Sequence, residues 1–450
     1  MLRTPPRSLL RLALAALFAT LAFGAAPADA APTAYRGVQL HSLWSETSDA
    51  EMQRELDLSR DAGSTTVRVD VGWSSLETEG KGQYSDWYVD KLDRFMNGAH
   101  ARGMKVIATV WSTPCWASTA PESKKQECRG AWWDREVTMY PPKDNSDFGD
   151  ISGWITARYG TKLAAVEVWN EPNLPEDRFW IAPDEPRAYA GLVKAAYPAV
   201  KAANRDVKVL AGSLAAADRP FLEALYANGI KGSYDAISIH PYNEDRAPSD
   251  RWQSQWKKYT FLPGVEWIHE AQQAAGDNTP LWLTEFGWTS CSGGGWCVSE
   301  RQQAGYIRAA FRILRSTDYV QGAIVYNLRS QGTDAAAFED NFGLVRENFA
   351  PKPAYAALRD GLKGSGTATR RPSKRARRVA VRVHRKGDSE IATGRAPRGS
   401  RVLLRISGCR HARAARAVRV RASRSGRFNK RLGTIAGLAG CRVAGVASRR

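Results

Sequence analysis

The chain has 450 residues, of which 65 are Lys or Arg and 46 are Asp or Glu, so its formal net charge is +19. The charge is uneven, because residues 365–450 contain 25 basic and 2 acidic residues, whereas the first 364 residues contain 40 and 44. That balance argues against a nucleic-acid or membrane-surface role for the first 364 residues, which are long enough to bury a large core.

Residues 1–30 have the composition of a secretory signal peptide. Basic residues come first, an apolar run over residues 12–23 follows, and the small residues of Ala28-Asp29-Ala30 end the segment. A membrane anchor is the alternative, but the apolar run is shorter than the roughly 20 residues that a spanning helix needs. We therefore expect cleavage after Ala30 and a secreted protein, extracellular or associated with the cell wall.

The six cysteines fall into pairs that are close in sequence. The pairs are Cys115 with Cys128, Cys291 with Cys297, and Cys409 with Cys441. Metal ligation is the alternative, but no spacing is C-x-x-C and no histidine pattern lies nearby. Three disulfides in an oxidising compartment are the favoured interpretation.

Residues 31–364 repeat one pattern, a short β-branched apolar run followed by an amphipathic stretch of helical period. Eight such runs follow one another: RGVQLHSL, STTVRVDVGW, MKVIATVW, AAVEVWNEP, VKVLAGSL, YDAISIHPY, PLWLTEFGW and VQGAIVYNLRS. Strand and helix in eightfold alternation predict an α/β fold, a (β/α)₈ TIM barrel. A doubly wound open sheet is the alternative, but it calls for a Gly-rich turn after the first strand, and the sequence has none there.

Residues 365–376 are rich in Gly, Ser, Thr, Pro and Arg, which is typical of a linker. Over residues 377–450 apolar residues alternate with arginines at period two, which predicts a small all-β module with a basic outer face. The segments APRGSRVLLRISG and ASRSGRFNKRL resemble bacterial immunoglobulin-like accessory modules. A disordered basic tail is the alternative.

Two glutamates end apolar strands of the predicted barrel. Glu171 ends the fourth run and Glu285 ends the seventh. Working residues of such a barrel lie at the carboxyl ends of its strands, where a carboxylate is costly unless the surroundings are polar. Each glutamate pairing with a structural arginine is the alternative, but two carboxylates are also what glycosidic cleavage requires.

These motifs resemble those of the clan A glycoside hydrolases. VEVWNEPN followed by LWLTEFGW matches the pattern in which an Asn-Glu pair ends strand four and a second Glu ends strand seven. GVQLHSLW, GSTTVRVDVGWSSLE and GMKVIATVWSTPCWAS are most similar to glycoside hydrolase family 39 and to the family 5 cellulase-type enzymes. The resemblance covers residues 35–364 and none of the basic tail.

The resemblance implies roles for six residues. Glu171 is then the general acid/base, Glu285 the nucleophile, and Asn170 the partner of the sugar 2-hydroxyl. Arg68 and Tyr242 orient Glu285 and hold it ionised, and His240 lines the −1 subsite. A cationic neighbour lowers the pKa of a carboxyl group, so Arg68 is expected to lower that of Glu285.

The end of strand eight departs from the clan pattern. Many members place a tryptophan there as the floor of the −1 subsite, whereas this chain reads IVYNLRSQG and offers Tyr326 in that region. Tryptophans at the strand ends are further candidates for stacking on sugar rings. The candidates are Trp73, Trp180, Trp288 and Trp296. Core packing is the alternative for each of them.

The sequence thus predicts a secreted retaining glycoside hydrolase, which cleaves β-O-glycosidic bonds of a polysaccharide or oligosaccharide by double displacement. No cofactor and no metal ion are expected, and neither are nucleic-acid binding or a membrane span after signal cleavage. The basic module is expected to bind an anionic cell-wall polymer. A non-catalytic surface protein that binds carbohydrate or cell wall is the alternative.

Overall fold

The computed structural model describes most of the chain in two compact units divided at Gly364. The described residues are 34–125, 128, 136–174, 179–251, 257–363, 377–386, 389–396, 401–407, 416–423, 425, 427–434 and 442–448. The predicted signal peptide, the linker and the pair Cys409 and Cys441 lie outside these residues. No helix in the described part of the chain is both long and apolar enough to cross a membrane.

Eight parallel strands of the first unit form a closed barrel. The strands are β1 Tyr35–Leu40, β2 Thr66–Gly72, β3 Lys105–Trp111, β4 Leu163–Val168, β5 Lys208–Ala215, β6 Ala236–His240, β7 Leu281–Leu283 and β8 Val320–Val325. They pair in chain order, and β8 closes the barrel by pairing with β1. All eight apolar runs therefore became strands, and the predicted (β/α)₈ barrel is confirmed.

Helices connect the strands and cover the barrel. They are α1 Asp49–Ala62, α2 Trp73–Leu76, α3 Asp86–Ala101, α4 Asn145–Tyr159, α5 Glu185–Ala203, α6 Arg219–Ala227, α7 Leu262–Ala274, α8 Glu300–Leu314 and α9 Pro353–Leu362. Local sequence sets their ends. At α1, Ser48 and Glu51 form a capping box, and Gly63 ends the helix with a φ of +97° that favours glycine.

Two apolar clusters follow from the alternation of side chains along each strand. Val106 and Ala108 belong to the large cluster that packs strands against helices, whereas Ile107 belongs to a smaller one. The smaller cluster also contains Leu210, Trp282 and other residues, and it fills the base of the barrel. Nearer the carboxyl ends of the strands the inward positions become polar, and that change creates the floor of a site.

The described residues of the second unit form seven strands in two antiparallel sheets. The strands are β9 Arg377–Val379, β10 Val381–Lys386, β11 Ser389–Arg395, β12 Arg401–Ser407, β13 Arg416–Arg421, β14 Arg427–Thr434 and β15 Arg442–Ser448. The sheets have the orders β10-β11-β14 and β13-β12-β15-β9. The sequence pattern missed β11 and β15, and it did not divide β9 from β10 at Ala380. The immunoglobulin-like assignment stays a prediction.

Candidate active site

Both predicted glutamates lie at the carboxyl end of the barrel. Asn170 and Glu171 follow β4, and Glu285 follows β7 after one intervening residue. Trp169 and Glu171 have φ values of +66° and +48°, in the left-handed region that side chains other than glycine rarely adopt. Strained backbone of this kind is often found at functional sites, where the surrounding structure holds it in place.

The carboxyl groups of Glu171 and Glu285 lie close together around His240. Oxygen atoms of both glutamates and a ring nitrogen of His240 all lie within 4.8 Å of one another. His240 Nδ1 is 2.8 Å from Glu171 Oε1 and 3.6 Å from Glu285 Oε2. Like charges at this separation raise each other's cost of ionisation, and Glu171 accordingly raises the pKa of Glu285.

Arg68 on β2 lies beneath the two glutamates. Its Nη1 is 2.5 Å from Glu285 Oε1, and its Nη2 donates to Asn170 Oδ1 at 2.9 Å. On the side away from Glu171 and Glu285, the Nε of Arg68 donates to Glu167 Oε2 at 2.7 Å. Burial alone would lower the pKa of Arg68, but Glu167 and Glu285 raise it above its usual range. Arg68 is therefore a permanent cation.

Arg68 does not reach the substrate side of the site, although the sequence placed it among the substrate-binding residues. Its side chain is 1% exposed, and it is covered by Asn170 and Glu285. It positions the groups that face the cavity. Its partner Glu167 was missed by the sequence reasoning, although a single acidic residue inside the apolar strand β4 was a usable signal.

Tyr242 holds the second oxygen of Glu285. Its hydroxyl donates to Glu285 Oε2 at 2.6 Å. Burial, reinforced by the charge of Glu285, raises the pKa of Tyr242 well above its ordinary value, so the phenol stays a neutral donor. Glu285 therefore has a donor on each oxygen, one of them cationic. Arg68 and Tyr242 both contact Glu285, and their role in orienting it stays a prediction.

The expected lowering of the Glu285 pKa by Arg68 is wrong in its net direction. Burial raises the pKa of Glu285, and the nearby Glu171 raises it further. His240, Arg68 and the Tyr242 hydrogen bond act in the opposite direction but do not outweigh the loss of hydration. The sequence showed the cation but not the depth at which the carboxyl group lies.

His240 lies behind the glutamates and does not line the cavity, contrary to the sequence expectation. Its side chain is fully buried at the end of β6, and Ser213 Oγ lies 3.2 Å from its Nε2. Burial, with a further contribution from Arg68, lowers the pKa of His240 to about 4. The ring is thus neutral at pH 7, and it bridges Ser213 and Glu171.

A cavity of about 490 Å³ opens above the two glutamates. Five of the predicted residues besides the glutamates line it: Asn170, Tyr242, Trp288, Trp296 and Tyr326. Further aromatic rings line it as well: Trp44, Trp111, Phe179, Tyr259, Phe338 and Phe342. Aromatic faces and a few polar groups in one cavity are suited to a sugar ring, whose two faces are apolar and whose rim carries hydroxyls.

Trp73 and Trp180 belong to the core and not to the cavity, so their assignment to substrate binding is wrong. Both are at most 1% exposed. Trp73 begins α2 and packs edge-on against Phe148, and its indole nitrogen donates to Glu77. Trp180 packs edge-on against Trp169. Position at a strand end did not reveal which way these rings turn.

Tyr326 takes the place at the end of β8 where the sequence left the floor open. Its ring lines the cavity and packs edge-on against Tyr242 and Phe342. A side chain on Gly287 would clash with the Tyr326 carbonyl, so this glycine lets the chain after Glu285 approach β8. Tyr326 thus lines the cavity with two further rings packed against it, and its role as the floor stays a prediction.

Glu244, Thr289 and Glu339 line the cavity and were not predicted. Three further polar residues of the cavity were also missed: His41 at the end of β1, Asp70 on β2, and Gln331 after β8. Each of these three residues lies near the carboxyl end of a strand, where the working residues of such a barrel are found. In the sequence, that position was applied only to glutamates, tryptophans and the motif residues.

Two disulfides lie within the described residues, Cys115–Cys128 and Cys291–Cys297. The second closes the loop that carries Trp296, whose side chain is exposed and lines the same cavity as Glu285. Trp296 contacts Tyr259 and Phe338, with ring centroids 6.1 Å apart in each case. The disulfide thus restrains an exposed aromatic side chain at the mouth of the cavity.

The spacing of Glu171, His240 and Glu285 would also suit a metal ion, since all three offer a ligand atom within 4.8 Å. The chemistry of the surroundings does not favour one. The guanidinium of Arg68 already contacts Glu285 and repels a second cation.

Residues 27–322 match the family model described as cellulase, glycosyl hydrolase family 5. A curated relative, a β-glucosidase of Agrobacterium sp. (strain ATCC 21400), is 27% identical over 122 residues. That stretch is 27% of this chain and only 23% of the relative, so the match spans less than a quarter of that protein.

Solved structures of the same fold include three with 17–18% identity. The family 39 glycoside hydrolase from Bacteroides cellulosilyticus WH2 has 18% identity and a TM-score of 0.58, covering 94% of this chain and 82% of that one. A monomeric β-xylosidase from Caulobacter crescentus CB15 has 17% identity and a TM-score of 0.54, covering 93% and 96%. The family 39 enzyme from Xanthomonas axonopodis pv. citri has 18% identity and a TM-score of 0.53, covering 93% and 94%.

Proposed function

The chain belongs to the cellulase family, glycosyl hydrolase family 5, and from that premise we propose that it is a retaining glycosidase that hydrolyses β-O-glycosidic bonds. Glu285 is the nucleophile and Glu171 is the general acid/base. The substrate is an oligosaccharide or polysaccharide, and the sugar before the scissile bond lies on Tyr326 in the cavity.

The reaction has two steps. Glu285 attacks the anomeric carbon while Glu171 gives its proton to the leaving oxygen, so the glycosidic C–O bond breaks and a glycosyl ester of Glu285 forms. Water then gives a proton to Glu171 and attacks the same carbon, which releases Glu285 as a carboxylate and the sugar with its original configuration.

The separation of the two carboxyl groups carries this proposal. One oxygen of Glu171 lies within 4.8 Å of one oxygen of Glu285. Retaining enzymes place the groups about 5 to 5.5 Å apart, whereas inverting enzymes need roughly 6.5 to 9.5 Å to admit a water molecule. A water molecule together with a sugar ring does not fit between groups as close as these, so double displacement is favoured over inversion.

The contacts of the two glutamates divide their roles. Glu285 accepts from the Arg68 cation and from Tyr242, and both contacts stabilise its ionised form. Glu171 faces the neutral ring of His240, which stabilises a carboxylate less than a cation does. The proposed first step requires Glu171 in its protonated state and Glu285 in its ionised state.

Analysis of the first product tests retention. The purified protein is incubated with aryl β-glucosides, aryl β-xylosides and β-linked polysaccharides, and the anomer formed first is identified by NMR. We expect the β anomer. An α anomer as the first product would establish inversion. If the wild type hydrolyses no substrate faster than Glu285→Ala does, the proposed function is wrong.

The competing function is a non-catalytic carbohydrate-binding protein. It is not favoured, because such a protein has no need of two carboxyl groups that lie within 4.8 Å of each other and are positioned by a buried arginine. Sugar binding without turnover in the same assay would favour it.

We also propose that the protein is exported and that its basic C-terminal residues form an immunoglobulin-like module that binds anionic cell-wall polymer. The signal-like segment at residues 1–30 and two disulfides support export. The charge of residues 365–450 supports polymer binding. A version ending at Gly364 should lose salt-sensitive binding to acidic wall polymer and keep hydrolysis of aryl glycosides. Equal binding by both versions would exclude a role for the module.

A further inference from the structure

Asp70 is a third carboxylate at the catalytic cavity. It lies on β2, two residues after Arg68, and its side chain is 18% exposed at the cavity wall. Within the described part of the chain, its carboxylate accepts one hydrogen bond. Oδ2 accepts from Gln39 Nε2 at 3.2 Å, and Oδ1 is 3.9 Å from Arg68 Nη1, beyond hydrogen-bond distance.

The cation nearest to Asp70 is already engaged. Arg68 contacts Glu167 at 2.7 Å and Glu285 at 2.5 Å, so one guanidinium serves two other carboxylates before it reaches Asp70. Burial raises the pKa of Asp70 to about 6, and the attraction of Arg68 only partly opposes this. Asp70 is therefore a carboxylate at the cavity wall with unused capacity to accept hydrogen bonds.

The residue on the other side of Asp70 adds no positive charge. His41 Nδ1 lies 3.8 Å from Asp70 Oδ2 and has no hydrogen-bond partner among the described residues. Burial, with a contribution from Arg68, lowers the pKa of His41 to about 3, so the ring is neutral. Gln331 Nε2 donates to His41 Nε2 at 2.9 Å and to the Tyr326 hydroxyl at 2.8 Å. His41 and Gln331 thus form a neutral polar wall that joins Asp70 to the floor.

We propose that Asp70 binds the sugar ring in the cavity, with its carboxylate accepting hydrogen bonds from the 3-hydroxyl, the 4-hydroxyl or both. This inference rests on the proposed glycosidase function and names the group that selects the sugar. A carboxylate oxygen that faces the cavity can accept hydrogen bonds from sugar hydroxyls, and bonds of this charged kind are stronger than neutral ones.

The order of the barrel strands indicates which hydroxyls are involved. Asn170 follows β4, Asp70 lies on β2, and His41 and Gln331 follow β1 and β8, so these groups succeed one another around the rim. Asn170 is expected to contact the 2-hydroxyl. The hydroxyls at carbons 3 and 4 follow carbon 2 in order around the ring, so they come next to Asp70 and the polar wall.

The test compares Asp70→Asn with the wild type on an aryl β-glycoside and on its 2-deoxy, 3-deoxy and 4-deoxy analogues. Asn keeps the shape of Asp and removes its charge. We expect Asp70→Asn to lower kcat/KM on the parent glycoside roughly 10- to 100-fold, the loss associated with one charged hydrogen bond. On the 3-deoxy or 4-deoxy analogue the same substitution should cost less than threefold, whereas on the 2-deoxy analogue the full loss should persist.

The pattern across analogues separates sugar binding from an indirect effect. If Asp70 acts only through Arg68 and Glu285, Asp70→Asn slows all four substrates by the same factor, and the inference is wrong. Glu244→Gln, which removes another carboxylate from the wall of the same cavity, serves as the matched control and should not show the 3- or 4-deoxy pattern. Thermal melting of each variant reports whether it folds.

Binding of free sugars keeps the two proposals distinguishable. Calorimetric titration with the parent monosaccharide and its 3-deoxy and 4-deoxy forms needs no turnover. If the wild type hydrolyses nothing yet Asp70→Asn weakens binding of the parent sugar alone, the proposed function fails and Asp70 still binds the sugar. If the wild type hydrolyses glycosides and Asp70→Asn leaves both kcat/KM and sugar binding unchanged, only the inference on Asp70 fails.

Discussion

Arg68 Nη1 lies 2.5 Å from Oε1 of Glu285, at the boundary between the interior of the barrel and the cavity above it. Through its Nε the same side chain holds Glu167, which is fully buried. Burial alone would raise the pKa of Glu167, but the charge and the hydrogen bond of Arg68 lower it, so Glu167 is ionised. The cation that orients the proposed nucleophile is thus also the counter-charge of a carboxylate inside the barrel.

Replacing Arg68 should therefore cost stability as well as activity. Breaking a buried ion pair by removing one partner typically costs about 3–5 kcal/mol. We expect Arg68→Met to lower the free energy of unfolding in urea by about that amount. Adding Glu167→Gln removes the uncompensated charge and should recover part of the loss. A double variant less stable than Arg68→Met would show that the loss arises from packing and not from charge.

The two glutamates should respond differently to the leaving group. Glu285→Ala should abolish turnover on every substrate, because no other group attacks the anomeric carbon. Glu171→Ala removes acid catalysis, which contributes roughly 10²- to 10⁴-fold, and only poor leaving groups need it. We expect Glu171→Ala to retain the first step on a dinitrophenyl glycoside and to lose hydrolysis of a disaccharide.

Pre-steady-state release of dinitrophenol measures the first step in Glu171→Ala. Added azide should speed turnover of this variant, since azide attacks the glycosyl ester without a general base. Equal losses on dinitrophenyl glycosides and disaccharides would contradict the acid role of Glu171.

Much of the barrel was predictable because its signals are local. Alternating apolar residues and helix caps are read directly from the sequence, and all eight strands formed where the apolar runs stood. The motif residues were predictable because strand ends of a barrel share one face, which brought Glu171 and Glu285 together across 114 positions of sequence.

Side-chain direction and burial were not predictable from these patterns. Trp73 and Trp296 both lie near strand ends, yet one is fully buried and the other is 46% exposed. The predicted lowering of the Glu285 pKa was wrong for the same reason, because the loss of hydration depends on every side chain that covers the carboxyl group. His41 and Gln331 meet across 290 positions of sequence, and no short motif connects them.

Trp296 should contribute to substrate binding and little to stability. Its ring is exposed at the cavity mouth, and aromatic stacking is worth about 0.5–1.5 kcal/mol beyond buried area. We expect Trp296→Ala to raise KM several-fold with kcat nearly unchanged. Trp87→Ala is the matched control, because Trp87 is 54% exposed on α3 and does not line the catalytic cavity. Equal changes of KM in Trp296→Ala and Trp87→Ala would show that Trp296 has no specific role in substrate binding.

A buried carboxyl group away from the catalytic pair makes stability depend on pH. Glu55 on α1 is 3% exposed and accepts a hydrogen bond from Ser42 Oγ. Burial raises the pKa of Glu55 to about 7, although the Ser42 hydrogen bond opposes this. In the unfolded chain the same group titrates near 4.5. Between these two values the folded protein holds a proton that the unfolded chain has released.

The stabilising contribution of this proton is complete below about pH 4.5 and is lost as pH rises to about 7. At 1.36 kcal/mol per pKa unit, the loss is about 3 kcal/mol. Glu55→Gln has no such proton, so its stability relative to the wild type should increase by about that amount between pH 4.5 and pH 7.5. Urea unfolding of both proteins at the two pH values measures the difference between their free energies of unfolding. Groups that titrate alike in both proteins do not contribute to this difference. Parallel stability curves would mean that Glu55 ionises at its ordinary pKa in the folded protein, and that its burial is compensated by charges such as Lys91 and Arg329.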